Sequence, residues 1–309
     1  EGPGGDAAVL RLKHPTTGED TGRALALTTD GNHLWGAVDP RVAGRMTVAE
    51  SVMNLAVVGA RPLAMVNCLN FGNPEHPEVM WQLSESVDGL SEGLSALGIP
   101  CVGGNVSLYN ESGGRDIDPS AVIGVLGVVD RLEARPPGVR LVEGGRLLLV
   151  GETVPELSGS RWAADRGHRG RGSLPEVDLE SVDRVAGVVR ELVADGRVLG
   201  AHDVSEGGLG LTLAEMAVAS GVGFNVARVP DHAHLFSESS GRAVLCVEAD
   251  RLREVLDVLE AHGVPHARLG VAGGDRLVVK DLLDVPLAEA IARWRDRLPE
   301  ALGSGTAQG

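Results

Sequence analysis

Aromatic residues make up only 3% of the 309 residues, so any core must be built mainly from Val, Leu and Ala. Lysine is confined to Lys13 and Lys280, and the remaining basic residues are arginines. No apolar run approaches the ~18 residues that a membrane helix needs. Cysteine is sparse, with Cys68, Cys101 and Cys246 isolated from one another and no CxxC spacing. That pattern suggests neither a disulfide framework nor a zinc cluster, and fits a reducing compartment. Positive charge is in deficit: the formal net charge of −15 argues against a nucleic-acid surface, which needs clustered basic residues. The opening Glu1-Gly-Pro-Gly-Gly5 lacks a basic n-region and an initiator Met, and reads as the start of a fragment, not a signal peptide. What remains is an ordinary globular composition, 43% hydrophobic and 23% charged. The length suits one large or two ordinary domains.

Along the chain, Asp6 to Arg11 and Ala24 to Thr29 read as strands between polar turns. Thr47-Val48-Ala49-Glu50 matches a capping box. Val48, Val52 and Leu55 then recur at helical spacing until Gly59. Leu63 to Leu69 reads as a buried strand and Asn70-Phe71-Gly72-Asn73-Pro74 as a loop. Pro77 to Leu97 reads as a helix with Val79, Leu83, Val87, Leu90 and Leu94 on its apolar face. A short apolar run, Ile99 to Val102, is interrupted by Gly103-Gly104-Asn105-Val106-Ser107 and a polar turn, and Val122 to Val129 reads as the next strand.

Arg135-Pro136-Pro137-Gly138 stops both helix and strand and is the candidate domain boundary. Beyond it, Arg146 to Val150, Arg242 to Val247 and Leu277 to Val279 read as strands. Val182, Val185, Val189 and Leu192 mark an amphipathic helix. Further helices are expected at Leu209 to Ala219 and Arg251 to His262. A last one carries Leu287, Ile291, Trp294 and Leu298 on one face. Strands and helices mix throughout, so the class is α/β or α+β in two domains.

Three constellations could carry chemistry. Two strands flanking one helix, each ending in an Asn/Gly-rich segment, bring Asn67 to Asn73 and Gly103 to Ser107 to one sheet edge if they are parallel. That edge is where ligands bind in open α/β sheets. Glycines there permit close backbone approach, backbone amides can hold phosphate, and Asn105 offers a neutral oxygen to Mg2+. The plainer reading is a strand ending in a tight turn. The second is His202-Asp203-Val204-Ser205-Glu206-Gly207-Gly208, open between a hydrogen-bonded loop pair and an acid–base dyad. Its glycines begin a helix whose amides could accept an anion. The third, Phe236-Ser237-Glu238-Ser239-Ser240-Gly241-Arg242, reads as a solvated loop. His232 and His234 alternate and would share a face on a strand, but two ligands make a weak metal pattern.

Leu27-Thr28-Thr29-Asp30, Val48-Ala49-Glu50, Asn70-Phe71-Gly72-Asn73-Pro74-Glu75, Gly103 to Glu111 and Ala201 to Gly208 occur in one family in this order and spacing. From about Gly5 to about Ile291 the chain resembles the C-terminal half of the large or catalytic subunit of phosphoribosylformylglycinamidine synthase. The broader superfamily is that of aminoimidazole ribonucleotide synthetase. The resemblance implies an α+β fold in two domains. The first, residues 1–134, is a mixed β-sheet with helices that pairs through its sheet. The second, residues 135–300, is an α/β sandwich, followed by a disordered tail at 301–309. It also implies a ligase of purine biosynthesis in the cytoplasm. Such an enzyme uses ATP and Mg2+ to activate the formamide oxygen of formylglycinamide ribonucleotide, and ammonia from a glutaminase subunit then displaces phosphate. A small bridging subunit completes the complex.

Carried over residue by residue, the resemblance gives Gly104 to ATP, Asn105 to Mg2+ and Ser107 to the substrate. Asn67 stands where the family has an ATP-contacting Asp, a departure that removes a charge. Asp30 resembles the metal-binding Asp of the superfamily. The family's catalytic His and most of its ATP and metal carboxylates belong to the first half, so this chain by itself is expected to be inactive. The alternatives are a non-catalytic, pseudo-symmetric scaffold half and a homodimeric ATP-using relative such as aminoimidazole ribonucleotide synthetase. A homodimer through the N-terminal sheet is the other pairing the resemblance allows.

Overall fold

A computed structural model describes residues 5–132 and 135–303. The chain opens with β1 (Ala8–Lys13), β2 (Asp20–Asp30), α1 (His33–Gly36) and α2 (Pro40–Ala56). It continues through β3 (Arg61–Asn70), α3 (Pro77–Ala96) and β4 (Cys101–Ser107), then a short hairpin of β5 (Glu111–Ser112) and β6 (Arg115–Asp116), and β7 (Ser120–Val129). The five long strands form one sheet in the order β1-β2-β7-β3-β4. Only the β3–β4 pair is parallel, as a strand–helix–strand unit requires.

Alternation along these strands separates two faces. Ala24, Ala26 and Thr28 of β2 and Ile123 and Val125 of β7 are buried beneath the helices. On the opposite face Leu10, Leu27, Val66 and Val122 are 59%, 42%, 48% and 37% exposed, so the described chain leaves an apolar sheet face uncovered.

Two expectations about the helices are corrected. The α2 helix begins at Pro40, seven residues before the Thr47 capping box. Asp39 accepts from the backbone N–H of Arg41 and Val42, and Pro40 supplies the φ that a first helical residue needs. Thr47 lies inside the helix, its hydroxyl donating to the Ala43 carbonyl one turn back. The α3 helix buries Val79, Leu90 and Leu94 as expected, but with Ser86, Gly89 and Gly93, while Val87 is 41% exposed. Close backbone approach to α2 decides this face. An ideal Cβ on Gly89 would overlap the Arg41 carbonyl oxygen, and one on Gly44 would lie 2.7 Å from the Leu90 nitrogen.

The second half contains β8 (Arg146–Val150), α4 (Arg161–Ala164), α5 (Leu179–Ala194), β9 (Gly200–Asp203), α6 (Gly208–Ser220), β10 (Phe224–Val226) and α7 (His232–Phe236). There follow β11 (Ala243–Val247), α8 (Leu252–Ala261), β12 (His266–Ala272), β13 (Arg276–Val279), β14 (Leu283–Pro286) and α9 (Leu287–Ala301). Its sheet runs β14-β13-β10-β12-β8-β11-β9, with β10–β13 its one parallel pair. Val182, Val185, Val189 and Leu192 of α5 are buried as their spacing predicts. Of these, Val185, Val189 and Leu192 share one apolar cluster with Val48, Val52 and Met53 of α2 and with Leu245 and Val247 of β11. The two sheets are therefore joined through α2 and α5.

His232 and His234 lie on α7, not on a strand, because Asp231 caps a helix there and accepts from the His234 N–H. On α9, Leu287 is buried, but Trp294 and Leu298 are 59% and 66% exposed, so the expected apolar face is covered only at its start. The helix also carries Ala301, which the expected tail had included. Residues 304–309 of that tail lie outside the described residues. Among the described residues no helix is long and apolar enough to cross a membrane.

Candidate functional site at the parallel strand edge

Gly103, Gly104 and Asn105 belong to the strand β4 itself, not to a turn that ends it. The turn follows at Leu108–Asn110, where Tyr109 takes φ 61°. The register puts Asn67 beside Gly104, Cys68 beside Asn105 and Asn70 beside Ser107. Asn67 and Gly104 share one face: an ideal Cβ at Gly104 would overlap the Asn67 Oδ1 and lie 2.6 Å from its Cγ. Glycine here makes room for the Asn67 amide. By alternation, Asn105 and Cys68 point to the opposite face.

Beyond the strands, the two segments are laced together. The Phe71 N–H donates to the Ser107 carbonyl (3.0 Å) and the Tyr109 N–H to the Gly72 carbonyl (2.8 Å). The Asn110 amide donates to the Phe71 carbonyl (3.0 Å) and to the Ser107 hydroxyl oxygen (3.1 Å). Phe71 is fully buried and anchors the loop. Asp116 accepts from the Asn73 N–H and pairs with His76 Nδ1, both at 2.7 Å. Those two hydrogen bonds hold its carboxyl below the ordinary range. All four expected ligand residues thus sit on one strand edge but divide between its faces. Asn105 is exposed, and no hydrogen bond engages its side chain among the described residues. It can give Mg2+ one neutral oxygen. Such an ion prefers octahedral oxygen donors, usually one or two carboxylates with phosphate oxygens and water. The strand edge fits the ion only as a partial ligand set.

The same lateral row leads across the sheet to Asp30, through Ile123 and Asn67 to Gly104. Asp30 is buried and accepts from Thr28 Oγ1 (2.8 Å), Asn54 Nδ2 (2.8 Å) and the Ser51 hydroxyl. Burial nonetheless pushes its carboxyl up. Glu50, Asp203 and Glu238 line a small void of about 10 Å³ between the two halves, close to the volume that one water needs. Burial, reinforced by neighbouring carboxylates, pushes Glu50 and Asp203 well above the ordinary range. Glu238 is also raised by burial, although it accepts from the Gly207 N–H (2.8 Å), the Arg161 N–H (2.7 Å) and Trp35 Nε1 (3.0 Å). Three carboxylates around such a void can share protons.

Burial alone would lower the His202 imidazole, but Asp6 (Nδ1, 2.6 Å) and Glu215 (Nε2, 3.0 Å) hold it well above its usual value. Asp6, His202 and Asp203 place ligand atoms within 4.8 Å of one another. Both His202 nitrogens are already engaged with carboxylates, so a buried ion-paired imidazolium fits better than a metal ligand. His202-Asp203 is thus a tie between β1's approach and β9, neither a loop pair nor a free acid–base dyad.

Sequence reasoning missed this centre. Glu50 was absorbed into the capping box, and the Phe236–Arg242 segment is buried where a solvated loop was expected. Ser237, Glu238, Ser239 and Arg242 are all at most 4% exposed. Arg242 donates to the Ser237 and Ser239 carbonyls and to Thr153 Oγ1, and burial lowers its guanidinium to about 10. The available signal was a carboxylate inside an apolar helical run, Val48-Ala49-Glu50-Ser51-Val52.

The acidic centre predicts a pH dependence. Glu50, Asp203 and His202 all carry folded values raised above the unfolded ones. The folded chain therefore binds more protons, and stability present below the unfolded values is lost as pH rises through the folded ones. The melting temperature should fall from pH 6 to pH 8.5, and Glu50→Gln should flatten that slope by removing one titrating group. Equal slopes in thermal melts of both proteins would contradict the assignment of Glu50.

Comparison with known sequences places these features in a family. Residues 4–129 match the AIR synthase related protein N-terminal domain, and residues 142–281 match the corresponding C-terminal domain. The chain is 45% identical over 301 residues to the phosphoribosylformylglycinamidine synthase subunit PurL of a Nocardioides species, covering 96% of this chain and 39% of that protein. Among solved structures, Thermotoga maritima PurL complexed with FGAR superposes with a TM-score of 0.74 at 18% identity, over 93% of this chain and 48% of the other. The same protein complexed with ATP gives a TM-score of 0.69 at 19% identity, over 91% and 47%. These structural likenesses speak for the fold alone. The chain spans about two fifths of the length of the curated relative. With both domains matched in order and the two-sheet architecture in place, the chain belongs to the AIR synthase related proteins.

Proposed function

We propose that this chain is the second synthetase-like half of a phosphoribosylformylglycinamidine synthase and supplies one side of its active site. The observation that carries the reading is the laced β3–β4 edge, which brings Asn67, Gly104, Asn105 and Ser107 onto neighbouring strands beside an uncovered apolar sheet face. In this reading Asn67 and Gly104 face ATP, Asn105 gives Mg2+ a neutral oxygen, and Ser107 meets formylglycinamide ribonucleotide. ATP is needed because an amide oxygen is a poor leaving group until phosphorylated; ammonia then displaces phosphate and leaves the amidine. The strand edge positions these groups, and the remaining groups of the site would come from another half.

The uncovered face of the first sheet would pair with the sheet of that half, or with a second copy of this chain. We place the domain boundary at residue 134/135. A glutaminase subunit would deliver ammonia, with a small bridging subunit in the same cytoplasmic complex. The relatives named for this activity support the assignment. A scaffold reading is favoured by one residue, Asn67, which lacks the charge of the family's Asp.

The isolated chain, given excess ammonia, ATP and substrate, should show no turnover, and adding the first half should restore it. Turnover by the chain alone would overturn the shared site, and failure of the reconstituted pair would overturn the activity itself.

A further inference from the structure

A second polar cleft lies at the other end of the first sheet. Strand β7 leaves the sheet at Val129, beside the start of β3, so the cleft is separated from the Asn/Gly edge by the length of the ten-residue β3, ~30 Å at ~3.3 Å per residue. It encloses about 540 Å³ between the two halves of the molecule, within the size range of small-molecule sites. Its walls carry Arg131, Arg135, Arg140, Arg197 and Arg251 against two carboxylates, Asp195 and Glu254. This concentration of guanidinium groups occurs in a chain of net charge −15.

The arginines are held, and among the described residues Arg135 and Arg140 make no ion pair with a carboxylate. Asp195 is shared by Arg131 (3.4 Å) and Arg197 (2.9 Å), and Arg197 also approaches Glu254 at 3.6 Å. Arg140 donates its Nε to the Leu199 carbonyl (2.8 Å) and Arg251 its Nη1 to the Gly196 carbonyl (3.2 Å). Arg251 also pairs with Glu248 outside the cleft at 3.5 Å. A carbonyl fixes a guanidinium without cancelling its charge, and each guanidinium keeps further donors from its set of five. No ion pair among the described residues engages Arg135. Planar guanidinium donor forks match phosphate oxygens, which accept paired N–H groups.

We propose that this cleft binds a small anion carrying two linked phosphates, the diphosphate group of a nucleotide or pyrophosphate itself. Several guanidiniums around one cleft suit two linked phosphates, whose oxygens can accept from more than one of them. The site is independent of the strand-edge reading and shares no residue with it.

The test is calorimetric titration of pyrophosphate into the whole chain without divalent cations, with sulfate at matched ionic strength as control. Saturable binding of pyrophosphate is expected, with sulfate and inorganic phosphate at least tenfold weaker. The Arg140→Gln/Arg251→Gln double variant should lose at least tenfold in affinity, while Asn105→Ala should bind as the wild type does. Since the double variant gives up two carbonyl contacts, Arg135→Gln provides a separate check, with severalfold weaker binding expected. No pyrophosphate binding at millimolar concentration, equal binding of sulfate, or unchanged affinity in both arginine variants would each overturn the proposal.

Discussion

If the strand edge serves the synthase site proposed above, Asn105→Ala in the full-length enzyme should lower turnover by more than tenfold while leaving the melting temperature within a degree or two of wild type. The two halves of that expectation have separate grounds. Asn105 is exposed on an edge strand, and no hydrogen bond engages its side chain among the described residues, so its truncation removes no packing and orphans no partner. Changes at such surface positions usually stay within about ±0.5 kcal/mol. A tenfold loss of rate corresponds to ~1.4 kcal/mol of transition-state stabilisation, a modest demand on one oxygen proposed to position a metal–phosphate unit. Ser107→Ala should cost a similar factor, but with a stability change as well. Its hydroxyl accepts from the Asn110 amide (3.1 Å) and so helps lace the two segments together. Asn105→Asp offers a sharper readout, because a carboxylate at the same place should tighten the apparent Mg2+ requirement even if kcat falls. Unchanged kinetics in Asn105→Ala and Ser107→Ala would reduce the edge to a structural feature and favour the scaffold reading.

The parts of the molecule that were legible in the sequence are those where local pattern and tertiary demand agree. The three- and four-residue spacing of Val182, Val185, Val189 and Leu192 on α5 is read correctly because its apolar stripe is the face that packs. The β3–α3–β4 unit is legible because a strand, a helix and a second strand in succession leave few topologies. Reading failed where a long-range contact overrode the local signal. Thr47 and Glu50 satisfy a capping box, yet Asp39-Pro40 is the stronger start, and Glu50 is turned towards Asp203 and Glu238, more than 150 residues away in sequence. The Phe236–Arg242 segment is polar in composition, but its polar groups are satisfied internally, by the Arg242 contacts to two carbonyls and by the donors to Glu238. Composition alone does not distinguish such a buried network from a solvated loop. Val87 failed for a related reason: an apolar stripe on α3 was outcompeted by the small residues that let two helix backbones meet.

That helix contact carries the largest stability effect expected in the first half. Gly89→Ala should destabilise the fold by ~2–3 kcal/mol, in the range for overpacking a close contact. Helix propensity opposes this, since Ala in place of Gly inside a helix ordinarily gains about 1 kcal/mol, so the sign depends on what the new methyl meets. At Gly89 it meets backbone: it would overlap the Arg41 carbonyl oxygen and lie 2.8 Å from the carbonyl carbon and 3.0 Å from Cα. None of these atoms can rotate away, and α2 would have to move off α3 as a unit. The movement would also stretch the ion pairs that Arg41 makes across the helix pair with Glu92, Glu85 and Asp88. Gly187 on α5 is the internal control, because an ideal Cβ there meets nothing within 4 Å. Gly187→Ala should therefore stabilise by ~0.5–1 kcal/mol through the unfolded chain and helix propensity alone. Opposite shifts of the two variants in urea or thermal unfolding would support the contact, and a Gly89→Ala protein as stable as Gly187→Ala would show that α2 and α3 do not meet this closely in solution.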